Sequence, residues 1–528
     1  MRFLLFFASI FILSTEACLQ GCDCITSTTV VCRDQRQIPI LLDPRTKVLD
    51  LSSNKIARIG ADELGLYPNL ETLILRNNSI THISSDVFRS LHNLKHLDLS
   101  SNNLLQLPNK IFANLKKLET LLIDSNDVQL AQECFSGLHN LQKLSLSYNR
   151  LTYLPPATLR PLTSLKNLDL SNNKLMAMPA SLLANLPTLK RLNLRKNLLS
   201  TLETGMFAAQ RDLQQLDLSE NLIDNMEEGC LYGLEKMTVL NLTANQLVRL
   251  PGNTWTLSNL RVLDLSYNLF VSLETASFDA LPALEFLNVS NSRNLKSIQM
   301  ASFVQLNNLK WLSLSNSMLH RIHPAAFNPV PKGLEYLDLS QNQLSSLPAG
   351  FVAYPTIANL QLAGNPWHCD CALRNLNLNP TDFAVCSGPQ SVEHVQLTEI
   401  KECSLFGGLF VPFLLAFAIL ILAIVVLLLA CKKPVRKQHT FYNDQLINVM
   451  SQKEYIYDHR SLSSPYTYSD DSSRDSAYES PTSALMPKNP PPPPPVRLNL
   501  PTPVNVPIIP PRNDYYLTPQ SSRPITRL

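Results

Sequence analysis

A short pattern of leucines and one asparagine recurs about fourteen times between residues 46 and 366 of this 528-residue chain. The pattern is L-x-x-L-x-L-x-x-N-x-L, and one copy reads Leu94, Leu97, Leu99, Asn102 and Leu104. Wherever neighbouring copies both carry the asparagine, the step between them is 23 or 24 residues. The asparagine occurs at Asn54, Asn78, Asn102, Asn126, Asn149, Asn173, Asn197, Asn221, Asn245, Asn268, Asn342 and Asn365.

This period and motif predict a leucine-rich-repeat solenoid. Each L-x-L segment is expected to be a short strand whose leucines point inward and whose x residues face outward. One copy cannot bury its leucines alone, so neighbouring copies stack and their strands form one long parallel sheet. The asparagine amide, which both donates and accepts, can satisfy backbone groups where the chain turns off the strand. The fold class is therefore an α/β repeat solenoid, a horseshoe with a parallel concave sheet.

Two copies depart from the asparagine column. Ser292 and Ser317 occupy the expected asparagine positions, and the steps there lengthen to 25 residues. A hydroxyl offers one donor where an amide offers two, so we expect looser local geometry at these two copies. Tolerated drift in a long array and a hinge are the two interpretations, and drift is favoured.

Two apolar segments predict how the chain is placed in the cell. Residues 1–17 combine one arginine with an apolar run, which is typical of a secretory signal peptide; the run is too short for the alternative, an uncleaved anchor. Residues 409–430 carry no charge and are long enough for a transmembrane helix, against the alternative of a buried soluble helix. The basic residues that follow place residues 432–528 in the cytoplasm. We expect a single-pass type I plasma-membrane protein with an extracellular N-terminus.

Eight of the eleven cysteines bracket the repeats, within an N-terminal cap at residues 18–45 and a C-terminal cap at residues 367–403. Even-numbered groups in a secreted chain predict disulfides, and caps would cover the exposed ends of the leucine core. A zinc site is the alternative for the first group, but it has no histidine at ligand spacing. Each group allows three pairings. The eight residues are Cys18, Cys22, Cys24, Cys32, Cys369, Cys371, Cys386 and Cys403.

The other three cysteines have different expected roles. Cys134 and Cys230 fall at the same place in two copies that are four repeats apart, about 20 Å at sheet spacing, which is too far for a bridge. We expect both to be buried free thiols. Cys431 follows the apolar segment at its inner edge, where palmitoylation and simple packing are both open.

The caps resemble those of Slit-like extracellular leucine-rich-repeat proteins. The resemblance rests on the segment NPWHCDC, Asn365–Cys371, and on the C-x3-C-x-C-x7-C spacing from Cys18 to Cys32, and it covers residues 18–403. It implies the pairings Cys369–Cys386 and Cys371–Cys403. With one apolar helix and a modest tail, the chain is similar to transmembrane receptors of the tartan, capricious and connectin type. That similarity implies adhesion or guidance in neuronal or epithelial development.

Two sets of outward-facing residues are candidate ligand-binding sites on the concave face. Aromatic residues on an exposed sheet are candidate hot spots. The aromatic set is Phe286, Trp311 and Tyr336, in three successive copies. The basic set, in copies five to seven, is Lys143, Lys166, Lys190, Arg191, Arg195 and Lys196. A solvated face, with the real contact elsewhere, is the alternative for both. The sequons at Asn77, Asn241 and Asn288 predict N-glycans, and two of them would crowd the aromatic set.

Residues 432–528 are rich in Pro, Ser and Tyr and have no apolar period, so we interpret them as a disordered tail. Pro492, Pro495 and Arg497 fit P-x-x-P-x-R, an SH3-domain ligand, although a stiff spacer has the same composition. The last residues, Thr526, Arg527 and Leu528, resemble a class I PDZ ligand. The expected cytoplasmic partners are therefore PDZ and SH3 adaptor proteins.

No catalytic constellation, metal-ligand set or phosphate-binding glycine loop is present in the sequence, so we predict neither an enzyme nor a cofactor. The net charge of +3 is small and evenly spread, which argues against nucleic acid as a partner. The predicted function is a cell-surface adhesion or guidance receptor for an extracellular or cell-surface protein. The alternative is an auxiliary subunit that binds and localises another protein of the same membrane.

Overall fold

The repeat pattern is realised as one continuous sheet. A computed structural model describes residues 18–250, 257–327, 333–347, 357–369, 373, 383–400 and 410–430. The predicted signal peptide at 1–17, the cysteines at 371, 403 and 431, and the whole tail with its SH3 and PDZ motifs lie outside the described residues.

Fourteen parallel strands, one for each repeat, form the main sheet of the described chain, and we number the repeats 1 to 14 in chain order. An antiparallel hairpin, Cys22–Thr26 with Thr29–Cys32, extends this sheet at its N-terminal end to sixteen strands. The predicted solenoid with a parallel sheet is thereby confirmed. The repeat strands are Val48–Asp50, Thr72–Ile74, His96–Asp98, Thr120–Leu122, Lys143–Ser145, Asn167–Asp169, Arg191–Asn193, Gln215–Asp217, Val239–Asn241, Val262–Asp264, Phe286–Asn288, Trp311–Ser313, Tyr336–Asp338 and Asn359–Gln361.

The return segments between these strands hold only short elements. Pairs or triplets of short parallel strands link neighbouring repeats: Arg58–Ile59 with His82–Ile83, Thr201–Leu202 with Asn225–Met226, and Ser272–Leu273 with Ser297–Ile298 and Arg321–Ile322. A further pair, Trp367–His368 with Cys386–Gly388, lies in the C-terminal cap. Among the described residues, the α-helices are Ala180–Leu183, in a return segment, and Phe410–Ala430, after the C-terminal cap, with 3-10 turns at Leu64–Leu66, Gln390–Val392 and Leu397–Glu399.

The leucines of the motif form the core. In repeat 3, Leu94, Leu97 and Leu99 are fully buried, and the corresponding residues of the other repeats extend this core along the array. On the return side, Phe88, Phe112 and Phe135 stack with ring centroids 5.8 and 6.3 Å apart. Every repeat thus buries its apolar side chains against its two neighbours, as stacking requires.

The asparagine column ties each repeat to the one before it. The Asn102 amide nitrogen donates to Leu99 O in its own repeat and to Leu75 O in the preceding repeat, both at 3.0 Å. Its Oδ1 accepts the backbone N–H of Ile80, also at 3.0 Å. One side chain therefore satisfies buried backbone groups of two repeats.

The two serines of this column make fewer bonds. Ser292 Oγ donates to Val289 O at 3.0 Å, and Ser317 Oγ donates to Ser315 O at 3.3 Å and accepts from Ser292 N at 3.2 Å. In the described residues neither hydroxyl donates to the preceding repeat, whereas every asparagine of the column from Asn78 onward does. At this position of the column, repeats 11 and 12 therefore make fewer hydrogen bonds to their preceding neighbours than the repeats that carry asparagine.

Disulfides lie in both caps. In the N-terminal cap, Cys18 is bonded to Cys24 and Cys22 to Cys32, and the second bond joins the two strands of the hairpin. In the C-terminal cap, Cys369 is bonded to Cys386, the pair that the resemblance implied. The fully buried Trp367 beside it donates its indole N–H to Leu362 O at 2.8 Å.

The apolar segment after the C-terminal cap is helical over Phe410–Ala430, within the predicted range of 409–430. The side chains that can be described in it, at 414–427 and 429, are all exposed. Within the residues that the structure describes, no helix is long and apolar enough to cross a membrane.

Cys134 and Cys230 are buried free thiols, as predicted, and burial raises the pKa of each to about 12. A thiol in this state holds almost no reactive thiolate at neutral pH. We therefore expect a soluble maleimide to leave both unlabelled in the folded protein and to label both after denaturation, measured by peptide mass spectrometry. A Cys134→Ser, Cys230→Ser double variant is the control for background labelling. If the folded protein were labelled as fast as the denatured protein, the two thiols could not be buried.

Candidate ligand-binding face of the repeat sheet

Each repeat strand has three residues, and its middle leucine is buried. Because side chains alternate across a strand, the first and third residues face outward, and parallel pairing aligns them between repeats. We call these two rows the first column and the third column. The residue just before each strand forms an edge column. Strands in a sheet lie about 4.8 Å apart, so members of one column are close neighbours.

Three consecutive members of the first column form an aromatic stack. The rings of Phe286 and Trp311 lie 4.1 Å apart between centroids and 9° from parallel, and those of Trp311 and Tyr336 lie 5.1 Å apart and 4° from parallel. All three side chains are half-buried, and burial raises the pKa of the Tyr336 hydroxyl. The structure thus brings together all three predicted aromatic residues.

Two further residues extend the stack. Val262 is paired in register with Phe286, and Val239 with Val262, so five adjacent strands carry apolar side chains in the first column. Neither valine was predicted from the sequence, where only aromatic residues at outward positions were taken as a sign of binding. We call Val239, Val262, Phe286, Trp311 and Tyr336 the apolar stripe.

The third column beside the stripe has a structural role. Its aspartates and asparagines accept a hydrogen bond from the backbone N–H two residues later; Asp264, for example, accepts from Ser266 N at 2.9 Å and from Ser266 Oγ at 2.6 Å. These side chains fix the turn that ends each strand. The third column therefore belongs to the fold.

The predicted basic residues fall into two separate groups. Lys143 and Arg191 lie in the first column and Lys166 and Lys190 in the edge column, all exposed and all at the start of their strands. Arg195 and Lys196 follow the end of the strand Arg191–Asn193.

Arg195 and Lys196 share one carboxylate. The Arg195 Nε donates to Glu220 at 2.9 Å, and Lys196 Nζ lies 3.9 Å from the same carboxyl group. The Glu220 hydrogen bond raises the pKa of Arg195. The six basic residues are thus not one binding surface, because the turn separates these two from the other four.

Two of the three sequons flank the apolar stripe. Asn241 and Asn288 are half-buried members of the third column, whereas Asn77 is exposed on a turn in repeat 2. The Asn288 amide donates to Asp264 Oδ2 at 3.1 Å, and Asn241 Oδ1 accepts from Thr243 N at 3.0 Å. N-glycosylation of Asn241 and Asn288 remains a prediction.

The edge column carries alternating charge in two stretches. Glu71 lies 2.9 Å from Lys47 and 2.8 Å from Lys95, and these two lysines, Lys95 first, hold the pKa of its carboxyl at about 2. Glu285 lies likewise between Lys310, at 2.7 Å, and Arg261, at 3.0 Å. The described residues contain no group of three or more His, Cys, Asp or Glu side chains that could hold a metal ion.

The repeat geometry and the family comparisons agree on the class of protein. A family profile described as Leucine rich repeat matches residues 68–128, 128–175, 187–247, 236–293 and 287–332, and a second profile of the same description matches 333–353. Together they cover just over half of the chain. The chain belongs to the leucine-rich-repeat proteins.

Matches to individual curated proteins are confined to short stretches. Immunoglobulin superfamily member 10 of Rattus norvegicus is 51% identical over 45 residues, which is 8% of this chain and 2% of that protein. A phospholipase A2 inhibitor of Gloydius brevicaudus siniticus is 40% identical over 75 residues, which is 12% of this chain and 22% of that protein. The chain thus spans less than a quarter of either relative.

Similar solved structures share the fold. The Drosophila Toll–Spatzle complex has a TM-score of 0.51 at 23% identity, covering 67% of this chain and 60% of that chain. A leucine-rich-repeat protein of Leptospira interrogans has a TM-score of 0.50 at 29% identity, covering 66% of this chain and 90% of that chain. At these identities the likeness establishes the repeat architecture.

Proposed function

We propose that this protein is a single-pass cell-surface receptor that binds a protein ligand through the apolar stripe and recruits PDZ and SH3 adaptors through its tail. The observation that carries the proposal is the stripe itself. Outward positions of a solvated sheet are normally polar, and contiguous exposed apolar patches are uncommon on monomers except at interaction sites. Five adjacent strands present apolar side chains here.

The surroundings of the stripe suit a protein interface. Its centre is a Trp311 ring stacked between two other rings, and aromatic residues dominate interface hot spots. Paired charges of the edge column, Arg261, Glu285 and Lys310, border it on one side, and the polar third column borders it on the other. An aromatic centre within a polar rim is the usual composition of a recognition interface.

Cell-surface placement is supported by chemistry outside the stripe. Three disulfides among the described residues require an oxidising compartment, which the cytosol is not. The uncharged run at 409–430 and the basic residues after it favour one membrane crossing with the tail in the cytoplasm. The tail motifs at Pro492, Pro495 and Arg497 and at Thr526–Leu528 would then face adaptor proteins.

The second candidate is an auxiliary subunit that binds another protein of the same membrane. It is favoured by the short spacing in the sequence between the C-terminal cap and the apolar run, where only residues 404–408 intervene. Such a spacing would keep the repeats close to the bilayer and to neighbouring membrane proteins.

Expression of the full-length chain in non-adherent cells separates the two candidates. A receptor for a ligand on other cells is expected to cluster these cells or to bind a second cell population, and to lose this activity when the apolar stripe is altered. Co-purification with a protein of the same cell, without binding to other cells, would instead support the auxiliary subunit. If a screen against a cell-surface proteome found neither a ligand on other cells nor a partner in the same cell, both candidates would be contradicted.

A further inference from the structure

Positive charge is concentrated in the middle of the array. Residues 137–211, which include the strands of repeats 5 to 7, contain ten lysines and arginines but two carboxylates, a formal net charge of +8 in a chain whose total is +3. The even spread that we inferred from the total charge is therefore wrong at the scale of single repeats.

Arg150 pairs with Asp127, and Arg195 and Lys196 pair with Glu220, so part of this charge is neutralised by neighbouring repeats. The edge column explains why the rest is not. Elsewhere in the column, lysines and arginines alternate with glutamates and form ion pairs. In repeats 5 to 8 the residues of the column are Gln142, Lys166, Lys190 and Gln214. The two lysines therefore have glutamines as their outer neighbours, whereas the lysines and arginines of the other two stretches have glutamates.

The two central lysines are direct neighbours. Lys190 N donates to Lys166 O at 2.8 Å, so their side chains emerge from adjacent strands, where like charges are unfavourable. Lys166 Nζ donates to the neutral Gln142 Oε1 at 2.9 Å. Among the described residues, no carboxylate lies within ion-pair distance of Lys143, Lys166, Lys190 or Arg191, and we call these four residues the basic edge.

The acidic groups nearest to the basic edge are otherwise engaged or lie to one side. Asp169 and Asp217 accept turn hydrogen bonds in the third column, and Asp212 pairs with Lys236 at 2.6 Å. Glu119 lies in the edge column two places before Lys166. An anion is therefore best accommodated over the edge and first columns.

A shallow groove adjoins the basic edge, and every side chain that lines it is polar. Lysines, amides and hydroxyls line it together with one carboxylate, that of Glu119, and Lys117 Nζ donates to Asn93 Oδ1 at 2.8 Å. Such a lining offers hydrogen bonds to hydroxyl groups but no apolar anchor for a protein side chain. The lining residues are Lys95, Lys117, Glu119, Asn140, Gln142, Ser164, Lys166 and Thr188.

We propose that the basic edge and its groove bind a linear sulfated polysaccharide, at a site separate from the apolar stripe. Sulfate groups recurring along such a chain match cations that recur from strand to strand, at about 4.8 Å or about twice that spacing. The sugar hydroxyls match the hydroxyl and amide lining. An acidic protein segment would meet the same cations, but it would leave its apolar side chains without a partner in this groove.

The test measures binding of heparin to the full-length protein, purified in mild detergent and immobilised, with hyaluronan and polyglutamate as unsulfated and peptidic comparison probes. The variant Lys166→Gln, Lys190→Gln gives these two positions the same residue type as Gln142 and Gln214 on either side and removes two charges that have no carboxylate partner in the part of the chain that the structure describes. The matched control, Lys47→Gln, Lys310→Gln, removes two charges from the same column at ion-paired positions.

We expect heparin to bind more tightly than either other probe and to bind more weakly as salt increases. The affinity should fall about tenfold in the Lys166→Gln, Lys190→Gln variant, the loss expected for two exposed ionic contacts, and by less than about twofold in the control. Equal losses in both variants would show a response to net charge alone and overturn the site. Tighter binding of polyglutamate, or no heparin binding, would also overturn it.

Discussion

Replacement of Asn173 by alanine is expected to lower the free energy of unfolding by about 3 kcal/mol, the largest effect we expect from one polar residue of the array. The Asn173 amide donates to Leu146 O at 3.0 Å and to Leu170 O at 2.9 Å, and its Oδ1 accepts from Asn149 N and Leu151 N. Alanine would leave the buried N–H groups of Asn149 and Leu151 unpaired, whereas Leu146 O and Leu170 O would each keep the amide of a neighbouring asparagine in the column. Chemical unfolding of the purified protein, followed by circular dichroism, measures the change.

The neighbouring Lys174 provides the control, because its side chain is exposed and a Lys174→Ala substitution should change stability by less than about 0.5 kcal/mol. Hydrogen exchange adds a local readout. In the Asn173→Ala variant, the amide of Leu151 should exchange faster, since it loses its acceptor at 2.9 Å. Loss of under about 1 kcal/mol with unchanged exchange would mean that water replaces the side chain, contrary to our expectation.

Replacement of Trp311 by alanine is expected to weaken ligand binding at least about thirtyfold, corresponding to about 2 kcal/mol for a central hot-spot residue. Trp311 stacks with Phe286 on one side and Tyr336 on the other, so its removal also takes away the stacking contact of each remaining ring. Binding of cells expressing the full-length chain to cells or soluble partners that engage the unaltered protein gives the measurement.

His96→Ala is the matched control, since it also removes a half-buried ring from the first column, but in repeat 3, far along the sheet from the stripe. Its effect on binding should be small. Thermal unfolding of both variants tests for damage to the fold; in Trp311→Ala the loss of two stacked pairs would cost about 1–3 kcal/mol in addition to the loss of buried area. Equal binding by the Trp311 variant and the unaltered protein would place the ligand elsewhere on the array.

Much of the fold follows from the sequence because the repeat makes local and global requirements coincide. Leu94, Leu97 and Leu99 can be read as inward positions since no other arrangement buries all three. The asparagine was expected to satisfy backbone groups near its own turn. That it also reaches Leu75 O, one repeat earlier, depends on how closely the repeats stack, which a one-dimensional pattern does not specify.

The candidate sites were predicted less completely. The aromatic stack follows from a fixed period, but grouping Arg191 with Arg195 ignored the turn between them. The bonds Cys18–Cys24 and Cys22–Cys32 were one of three possible pairings, and the hairpin that places Cys22 opposite Cys32 has no counterpart in the repeat motif. Where the chain leaves its period, spacing alone does not determine which side chains meet.

The serines at positions 292 and 317 belong to repeats 11 and 12, two of the five repeats that carry the apolar stripe. In a linear array whose repeats contact only their neighbours, a junction that lacks the asparagine amide bonds is expected to bend or open more easily. A partner that binds along all five strands would bridge these junctions and hold the repeats in one arrangement. Binding would therefore make the array stiffer at these repeats, and the free energy of ordering the junctions would contribute to the measured affinity.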